Sequence, residues 1–422
     1  MAHQMHPSQP TYSGTSVEPE DPIGNLRCRL PRASAFTLGL YGTANLFQGI
    51  DLPAKDLLLL ATFGLLPVLG LFTVINLPLV LNSLRTTWPI LLLGIALVPT
   101  FLIEGYLPTA VATPERVLIL IILPMLLAAA LFRERRQADY LMVGIATGAC
   151  VIAMGLLFSP AVADVNQASA TAAGIDTIST GMACAVGAVI FTGWAFRMVV
   201  DGRRRLSALV FVAVALALAY FTATSQSRQA SLALVLGLLM LPLVLPTKRR
   251  ISRPIFLALG AFVMVGVLAF GVNEGRFGRT LEGDRLLLWE GLPSTIVENL
   301  SGVGWGNYPL FLPDATTLGA RYPHNILLQS FLEGGILFGS VLVVCLIVAF
   351  VKGWRSRRFP EVAMVTVVFA MFFLSALVSS DITGGRALAV CAGALFGLGA
   401  AAGQWQPPGT EPAAPGKQAL GA

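Results

Sequence analysis

Apolar runs of about 20 residues recur along this chain and constrain its fold more than any other feature. A helical run of that length matches the hydrocarbon thickness of a bilayer. Of the 422 residues, 55% are apolar and only 12% are charged, which leaves too few polar side chains to cover soluble domains. The sequence therefore excludes an ordinary soluble enzyme and predicts an all-α polytopic membrane protein.

Twelve runs qualify as transmembrane helices when each is bounded by charged or turn-forming residues. The second run contains Pro67 and Pro78, so it is either one kinked helix or a helix followed by a re-entrant segment. The runs lie near residues 34–50, 56–78, 88–103, 116–132, 140–158, 178–199, 206–223, 229–246, 254–272, 326–351, 361–379 and 385–403.

The distribution of positive charge supports the same count. With the N-terminus inside, twenty of the 28 Lys and Arg residues fall on cytoplasmic segments and eight fall outside. Cytoplasmic loops carry the excess of basic residues in membrane proteins, so this split predicts twelve spans with both termini in the cytoplasm. Topology thus accounts for the formal charge of +6, and no nucleic-acid partner is predicted.

The spans divide the chain into five parts. Residues 1–33 lack the apolar core of a cleavable signal peptide and are predicted to be a disordered cytoplasmic tail, followed by an uncleaved anchor. Residues 34–272 hold spans one to nine, and residues 326–403 hold spans ten to twelve. Residues 404–422, rich in Pro, Gly and Ala, are predicted to be a second disordered cytoplasmic tail. Residues 273–325 form one long outside loop.

The outside loop contains an amphipathic pattern. Apolar residues recur at intervals of three and four, which predicts one or two short helices on the membrane surface, broken at Pro293. Glu290 and Glu298 fall near the polar side, and Trp289 and Trp305 are predicted to lie at headgroup level. The apolar residues of the pattern are Leu286, Trp289, Leu292, Ile296 and Leu300.

Three glycines alternate further along the loop, in Gly302-x-Gly304-x-Gly306. No buried strand precedes them and no βαβ unit follows, so the run does not satisfy the context of a dinucleotide-binding fingerprint. A tight turn that lets the backbone approach a neighbour or a ligand is predicted instead.

Seven of the eight outside cations are arginines. Arg228 ends a short polar run between two apolar helices, so we expect it at membrane depth or just above, where an ionisable residue is a candidate for function. Arg285 opens the amphipathic segment of the loop. The guanidinium fork suits phosphate or diphosphate oxygens, so both are candidates for binding a phospholipid-like headgroup. The alternative is that each arginine only anchors its helix at the interface.

His324 lies where the loop meets the tenth span and is the only histidine beyond the N-terminal tail. It shares its side of the membrane with the outside arginines, and imidazole titrates near neutral pH, so it is a candidate general base. A purely structural role is the alternative. The five cysteines, three histidines and loop carboxylates show no disulfide framework or metal-ligand spacing, so no metal or other cofactor is predicted.

Together these motifs resemble the signature of the O-antigen ligase superfamily, which comprises bacterial inner-membrane glycosyltransferases of the GT-C type. The long periplasmic loop before the last three spans is similar to the topology of that family. The motifs are Ser225-x-Ser227-Arg228, Arg285-x-x-x-Trp289, Gly302-Val303-Gly304-Trp305-Gly306 and His324-Asn325-x-x-Leu328-Gln329-x-x-x-Glu333-x-Gly335-x-x-Gly339.

The resemblance implies transfer of a polysaccharide from undecaprenyl diphosphate to an acceptor on the periplasmic side of the inner membrane. The leading hypothesis is an O-antigen ligase with lipid A core as acceptor. An O-antigen polymerase and a protein O-oligosaccharyltransferase are alternatives within the superfamily. A transporter belongs to another class, and no internal repeat supports it. Membrane lipids surround the protein, and no obligate protein partner is predicted.

The resemblance also suggests roles for individual residues. His324 is the expected general base, while Arg228 and Arg285 stabilise the negative charge that grows on the leaving diphosphate. We expect direct displacement with inversion at the anomeric carbon. Glu333 lies on the helix that follows His324, and a packing role and a catalytic role are both open. Further candidates for substrate binding are Arg321, Arg386, Asn325 and Trp305.

Overall fold

The computed structural model describes most of the predicted helices and part of the outside loop. It covers residues 22–44, 46, 67, 70, 71, 74, 77–103, 112–158, 177–200, 205–225, 227–245, 289–311, 323–378 and 382–405. Within these ranges every regular element is a helix and no strand occurs.

The helices are labelled α1 to α12 in chain order, and two of them, α8 and α9, have at most eight residues. Helix α2 continues as a 3-10 turn, Val98–Leu102, and α3 contains a π-helical turn at Leu118–Ile122. Their bounds are α1 Pro22–Ala44, α2 Leu77–Leu97, α3 Pro114–Leu131, α4 Arg135–Phe158, α5 Thr177–Val200, α6 Arg205–Thr224, α7 Arg228–Val244, α8 Leu292–Glu298, α9 Ile326–Glu333, α10 Gly335–Arg355, α11 Pro360–Val378 and α12 Arg386–Ala401.

Seven helices in the described ranges, namely α3, α4, α5, α6, α10, α11 and α12, are long and apolar enough to cross a membrane. Shorter apolar helices, Thr86–Leu102 and Gln229–Val244, lie in the α2 and α7 regions. The prediction of an all-α, multi-pass membrane protein is thereby confirmed. The predicted span 254–272 lies outside the described residues and 56–78 lies almost entirely outside them, so the count of twelve stays a prediction.

Two predicted boundaries differ from the structure. Helix α1 begins at Pro22, so residues 22–33 are helical although they fall within the predicted disordered tail. The predicted span 326–351 is interrupted, because α9 ends at Glu333 and Gly335 adopts a positive φ of 81° that does not continue a right-handed helix. The membrane-crossing part of this region is therefore α10.

Helix ends group at two opposite ends of the bundle. At the first, the ring Nε1 of Trp305 donates to Thr100 near the end of α2, and Gln229 at the start of α7 donates to Ser375 near the end of α11. We call this the loop end. At this end α2 and α11 finish and α7 begins.

The opposite end, here called the basic end, holds a cluster of cations. Lys352 near the end of α10 donates to the backbone of Thr86 in α2, at 3.3 Å. The cluster comprises Arg133, Arg135, Arg136, Arg197, Lys352, Arg355, Arg357 and Arg358.

Between the two ends, the buried share of each helix distinguishes a central helix from a peripheral one. The apolar stretch around α12, Thr383–Gln404, is 78% buried, whereas that of α6, Leu206–Thr224, is only 22% buried. A helix that is apolar on all sides yet largely exposed suits a lipid-facing position. Helix α12 is therefore at the centre of the core, and its first residue, Arg386, lies at the loop end.

Candidate functional site

The segment that carries His324 is held on both sides. The indole Nε1 of Trp289 donates to the carbonyl of Pro323 at 2.8 Å. On the other side Asn325 caps α9, because its Oδ1 accepts from the backbone N–H groups of Leu327 and Leu328 at 3.0 and 3.1 Å. A capping role was not predicted for Asn325, although an Asn directly before an apolar helical run is its usual sequence signal.

His324 has a φ of 54° and is the one non-glycine residue with a positive φ in the described part of the chain. The left-handed conformation costs an L-residue about 1–2 kcal/mol. Such strain persists only where neighbouring contacts determine the backbone, and it occurs often at functional sites. Here the held carbonyl of Pro323 and the cap at Asn325 supply those contacts.

The three alternating glycines form the predicted tight turn. Gly302, Gly304 and Gly306 have φ values of 89°, 86° and 80°. Their turn docks on the end of α9, where Val303 N–H donates to Leu332 at 2.8 Å and Gly304 N–H donates to the Glu333 carbonyl at 3.1 Å. The prediction that the glycines permit a close backbone approach is confirmed, and the partner is the α9–α10 junction.

The Glu333 carboxylate anchors this turn. It is fully buried, and its Oε1 accepts from the backbone N–H groups of Gly306 at 3.0 Å and Tyr308 at 3.3 Å. Its Oε2 accepts from the amide of Gln329 at 2.7 Å. These contacts give Glu333 a positioning role in the loop. Burial raises the pKa of Tyr308, and the charge of Glu333 raises it further, so the phenol stays neutral.

The apolar face of α8 packs against other parts of the protein. Leu292 is fully buried and packs in a small cluster with Val303, Tyr308 and Leu332. The glycine turn and α9 thus cover this face at Leu292, whereas Leu300 is 53% exposed, and the placement of α8 on the membrane surface stays a prediction. Pro293 lies in the first turn of α8, where its missing N–H needs no partner, so it begins the helix.

Residues 382–385 precede α12 and are here called the outer turn, and they lie next to α9. The backbone N–H of Ile382 donates to the Oε1 of Gln329 at 2.8 Å. Arg386 is only 4% exposed, its Nε donates to the carbonyl of Thr383 at 3.3 Å, and its guanidinium carbon lies 5.8 Å from the centre of the Tyr41 ring. The structure thus brings Arg386 to the same end as His324, in a buried position.

The start of α7 reaches this end too. Ser227 caps the helix by accepting from the backbone N–H of Ala230 at 3.2 Å, which makes Arg228 its first residue. The neighbouring Gln229 is 6% exposed and donates to both the carbonyl and the hydroxyl oxygen of Ser375. A cavity of about 20 Å³ lies between Ser375 and the outer turn at Gly385. Only the backbone of Arg228 is described.

The remaining predicted site residues have different outcomes. Trp305 is fully buried, its Nε1 donates to Thr100 Oγ1 at 3.1 Å and its ring meets Phe338 edge to face at 5.2 Å. Trp305 is therefore enclosed by α2 and α10, and its expected depth at headgroup level stays a prediction. Arg285 and Arg321 lie outside the described residues. The catalytic role of Arg285 and the substrate-binding roles of Arg321 and Trp305 stay predictions.

Gln329 is the site residue that the sequence analysis missed. It is 1% exposed and bonds both to Glu333 on its own helix and to Ile382, 53 positions away. Its spacing of four residues from Glu333 on a helix was a signal for their contact, whereas nothing local indicated Ile382. In the part of the chain that the structure describes, no group of three or more His, Cys, Asp or Glu residues lies close enough together to hold a metal ion.

These features define a multi-pass helical membrane protein with a polar site at one end of its bundle. Comparison with known families then identifies the relationship: residues 213–342, from within α6 to within α10, match the model described as O-antigen ligase. The resemblance to the O-antigen ligase superfamily is therefore confirmed over the region that holds Arg228 and His324. The comparison with curated proteins found no match.

Proposed function

We propose that this protein is an O-antigen ligase that transfers a polysaccharide from undecaprenyl diphosphate to the lipid A core. The observation that carries the proposal is the convergence of three elements at the loop end. These are the strained His324 before α9, the capped start of α7 at Arg228, and the outer turn before Arg386. The first two lie inside the segment that matches the ligase family.

The basic end supports an orientation for the reaction. Cations gather on the cytoplasmic side of membrane proteins, so the basic end faces the cytoplasm and the loop end faces the periplasm. In a bacterial inner membrane this orientation presents His324 to a donor and an acceptor that both reside in the outer leaflet. The polar groups of the site thus meet the headgroups of their lipid substrates.

The proposed reaction is a direct displacement. The acceptor hydroxyl oxygen attacks the anomeric carbon of the donor glycan, and its proton passes to the imidazole of His324. The bond from that carbon to the diphosphate oxygen breaks, and the electron pair leaves with undecaprenyl diphosphate. Attack opposite the leaving group inverts the anomeric configuration. No metal takes part in this scheme.

The arginines are proposed to stabilise the negative charge that develops on the leaving group. Arg228 and Arg285 are proposed to contact the diphosphate, with Arg321 and Arg386 as further contributors and Asn325 and Trp305 near the substrates. Preorganised cations in a partly dehydrated site stabilise such charge far better than water does. A guanidinium also offers two parallel donors, so Arg228→Lys should reduce transfer even though the charge is kept.

The first prediction concerns His324. His324→Asn keeps a residue that tolerates the left-handed backbone, and His324→Gly removes the strain, but neither supplies a base. Both variants should fold as well as the parent, and their transfer rates should be lower than that of the parent by about 100-fold or more. Transfer is measured as polysaccharide on lipid A core in cells that still export the lipid-linked donor.

The matched control is His6→Ala, which removes a histidine from the N-terminal segment and should leave transfer unchanged. Undiminished transfer by His324→Asn would eliminate the base assignment. His324→Gly relieves the backbone strain, so this variant should stay folded. Loss of both transfer and the folded protein in His324→Gly would contradict the claim that the strain is held for catalysis.

A reconstituted reaction separates the ligase from its alternatives. The purified protein is mixed with lipid-linked glycan, with and without lipid A core. Product that forms only with the core supports the ligase, and elongated lipid-linked glycan supports a polymerase. Glycan on an added acceptor protein supports an O-oligosaccharyltransferase, and a preparation that makes no covalent product supports a transporter.

A further inference from the structure

One buried amide connects two segments of the loop end that are far apart in sequence. Gln329 is 1% exposed, its Oε1 accepts from the backbone N–H of Ile382 at 2.8 Å, and its Nε2 donates to Glu333 Oε2 at 2.7 Å. A backbone N–H can only donate, so Oε1 must face Ile382 and the NH₂ group must face Glu333. The orientation of the amide is therefore determined by its neighbours.

The same argument assigns the donor and the acceptor of each hydrogen bond in the network. The other oxygen of Glu333, Oε1, receives the backbone N–H groups of Gly306 and Tyr308, which are donors as well. Glu333 thus acts as acceptor toward all three partners, as a carboxylate does. Only a side chain with one acceptor and one donor at the right spacing can join Glu333 to Ile382, and an amide has both.

This bridge bears on His324 through α9. The helix has eight residues. The N–H of Gln329 donates to the carbonyl of Asn325 at 2.9 Å, so Gln329 lies one turn after Asn325, the residue that follows His324. A helix of about two turns has little stability of its own, so contacts with neighbours set its rotation. The side-chain contacts of Gln329 and Glu333 are two that the structure shows.

We propose that Gln329 is a positioning residue that holds α9, and with it His324, against the outer turn at Ile382. The inference rests on the proposed function, since it concerns the placement of the proposed base. Gln329 touches no reacting atom in this scheme. Its loss would leave the Ile382 N–H and one oxygen of Glu333 without these partners in a buried site, and α9 would shift to find others.

The test exchanges the two polar groups. In Gln329→Glu, two carboxylates face each other across the present hydrogen bond and coexist only when they share a proton. In the double variant Gln329→Glu with Glu333→Gln, the new amide donates to the new carboxylate. The amide oxygen accepts from Gly306 and Tyr308, and the carboxylate accepts from Ile382. Every hydrogen bond of the network is then present again.

At neutral pH, kcat for glycan transfer should fall by about 10- to 100-fold in Gln329→Glu, as expected for a misplaced catalytic group, with little change in KM for the lipid-linked donor. Lower pH should restore part of the loss relative to the parent measured at the same pH, because the pair takes up its shared proton. The double variant should recover most of the parent kcat at neutral pH. Hydrogen exchange at the Ile382 amide should follow the same order: fast in the single variant, and slow in the parent and the double variant.

The control applies the same substitution to a buried glutamine at the basic end. Gln137 is 3% exposed, and its Oε1 accepts from the backbone N–H groups of Arg133 at 2.6 Å and Glu134 at 2.9 Å. A carboxylate can accept both bonds, so Gln137→Glu should leave transfer unchanged. Full activity of Gln329→Glu at neutral pH, or a double variant no better than the single one, would overturn the positioning role.

The outcome for Gln329 is distinct from the outcome for the proposed function. If the parent protein makes no glycan-transfer product in the reconstituted reaction, the proposed function fails. If His324→Asn transfers glycan normally, the base assignment fails whatever the Gln329 variants do. If His324→Asn is inactive and Gln329→Glu is fully active, only the positioning role fails. Slow exchange at Ile382 in Gln329→Glu would likewise show that the bridge does not hold the outer turn.

Discussion

At the scale of single residues, two buried tyrosine hydroxyl groups differ in their hydrogen bonding. Tyr308 and Tyr41 are both fully buried. The Tyr41 hydroxyl donates to the carbonyl of Leu120 at 3.0 Å, whereas the Tyr308 hydroxyl has no hydrogen-bond partner among the residues that the structure describes. A buried hydroxyl without a partner lowers stability, and one with a partner raises it slightly.

Tyrosine-to-phenylalanine substitutions should therefore have opposite effects at these two positions. Tyr308→Phe is expected to stabilise the protein by up to about 1 kcal/mol, and Tyr41→Phe to destabilise it by about 1 kcal/mol. Thermal midpoints of the two variants in the same detergent measure the difference. A lower midpoint for Tyr308→Phe than for Tyr41→Phe would show that the phenol of Tyr308 makes a stabilising contact.

At the scale of elements, the glycine turn and the α9–α10 junction approach each other through two glycines. A Cβ at Gly302 would lie 2.6 Å from the N of Gly335 and 2.7 Å from the carbonyl of Glu333. A Cβ at Gly335 would lie 2.6 Å from the backbone of Ser301. Both residues also have a positive φ, so glycine is required for space and for conformation.

Gly302→Ala is expected to destabilise the protein by about 2 kcal/mol or more, since the left-handed backbone alone costs about 1–2 kcal/mol and the contacts are with backbone atoms. Glycan transfer should fall as well, because the turn holds the end of α9, the helix that follows His324. The control is Gly403→Ala, whose added Cβ would meet nothing within 4 Å. Thermal midpoints and transfer rates that are equal in the two variants would contradict the tight approach.

At the scale of the whole molecule, one arginine connects three helices at the basic end. Arg197 in α5 contacts Asp139 in α4 at 3.2 Å and Glu361 in α11 at 2.7 Å. The side chain of Glu361 is 14% exposed and that of Asp139 is 41% exposed. Water screens the contact with Asp139 more, so most of the stabilisation comes from the contact with Glu361.

Glu361→Gln is therefore expected to lower stability by about 1–3 kcal/mol, and Asp139→Asn by less than about 1 kcal/mol. Thermal midpoints in detergent test the order of the two effects. Glycan transfer below the unfolding temperature should be normal in both variants, since the contact lies at the end opposite His324. A larger effect of Asp139→Asn would show that burial does not determine the strength of these contacts.

The predictable part of the structure depends on local information. The positions of the described helices and the glycine turn were predicted because hydropathy and glycine conformation are properties of a few neighbouring residues. The break at Gly335 and the capping role of Asn325 have local signals too, but the apolar residues on both sides concealed them. The inward face of α8 could not be predicted, because an apolar face suits a membrane surface and a protein neighbour equally.

The sequence by itself determined that this protein is a multi-pass helical membrane protein with motifs that resemble those of O-antigen ligases. Only the tertiary structure decided which distant residues meet. It placed Trp305 against Thr100, 205 positions away, and Gln329 against Ile382, 53 positions away. Such contacts depend on which helices become neighbours, and that choice is made by the packing of all helices together. Hydropathy shows which segments are helices and says nothing of their neighbours.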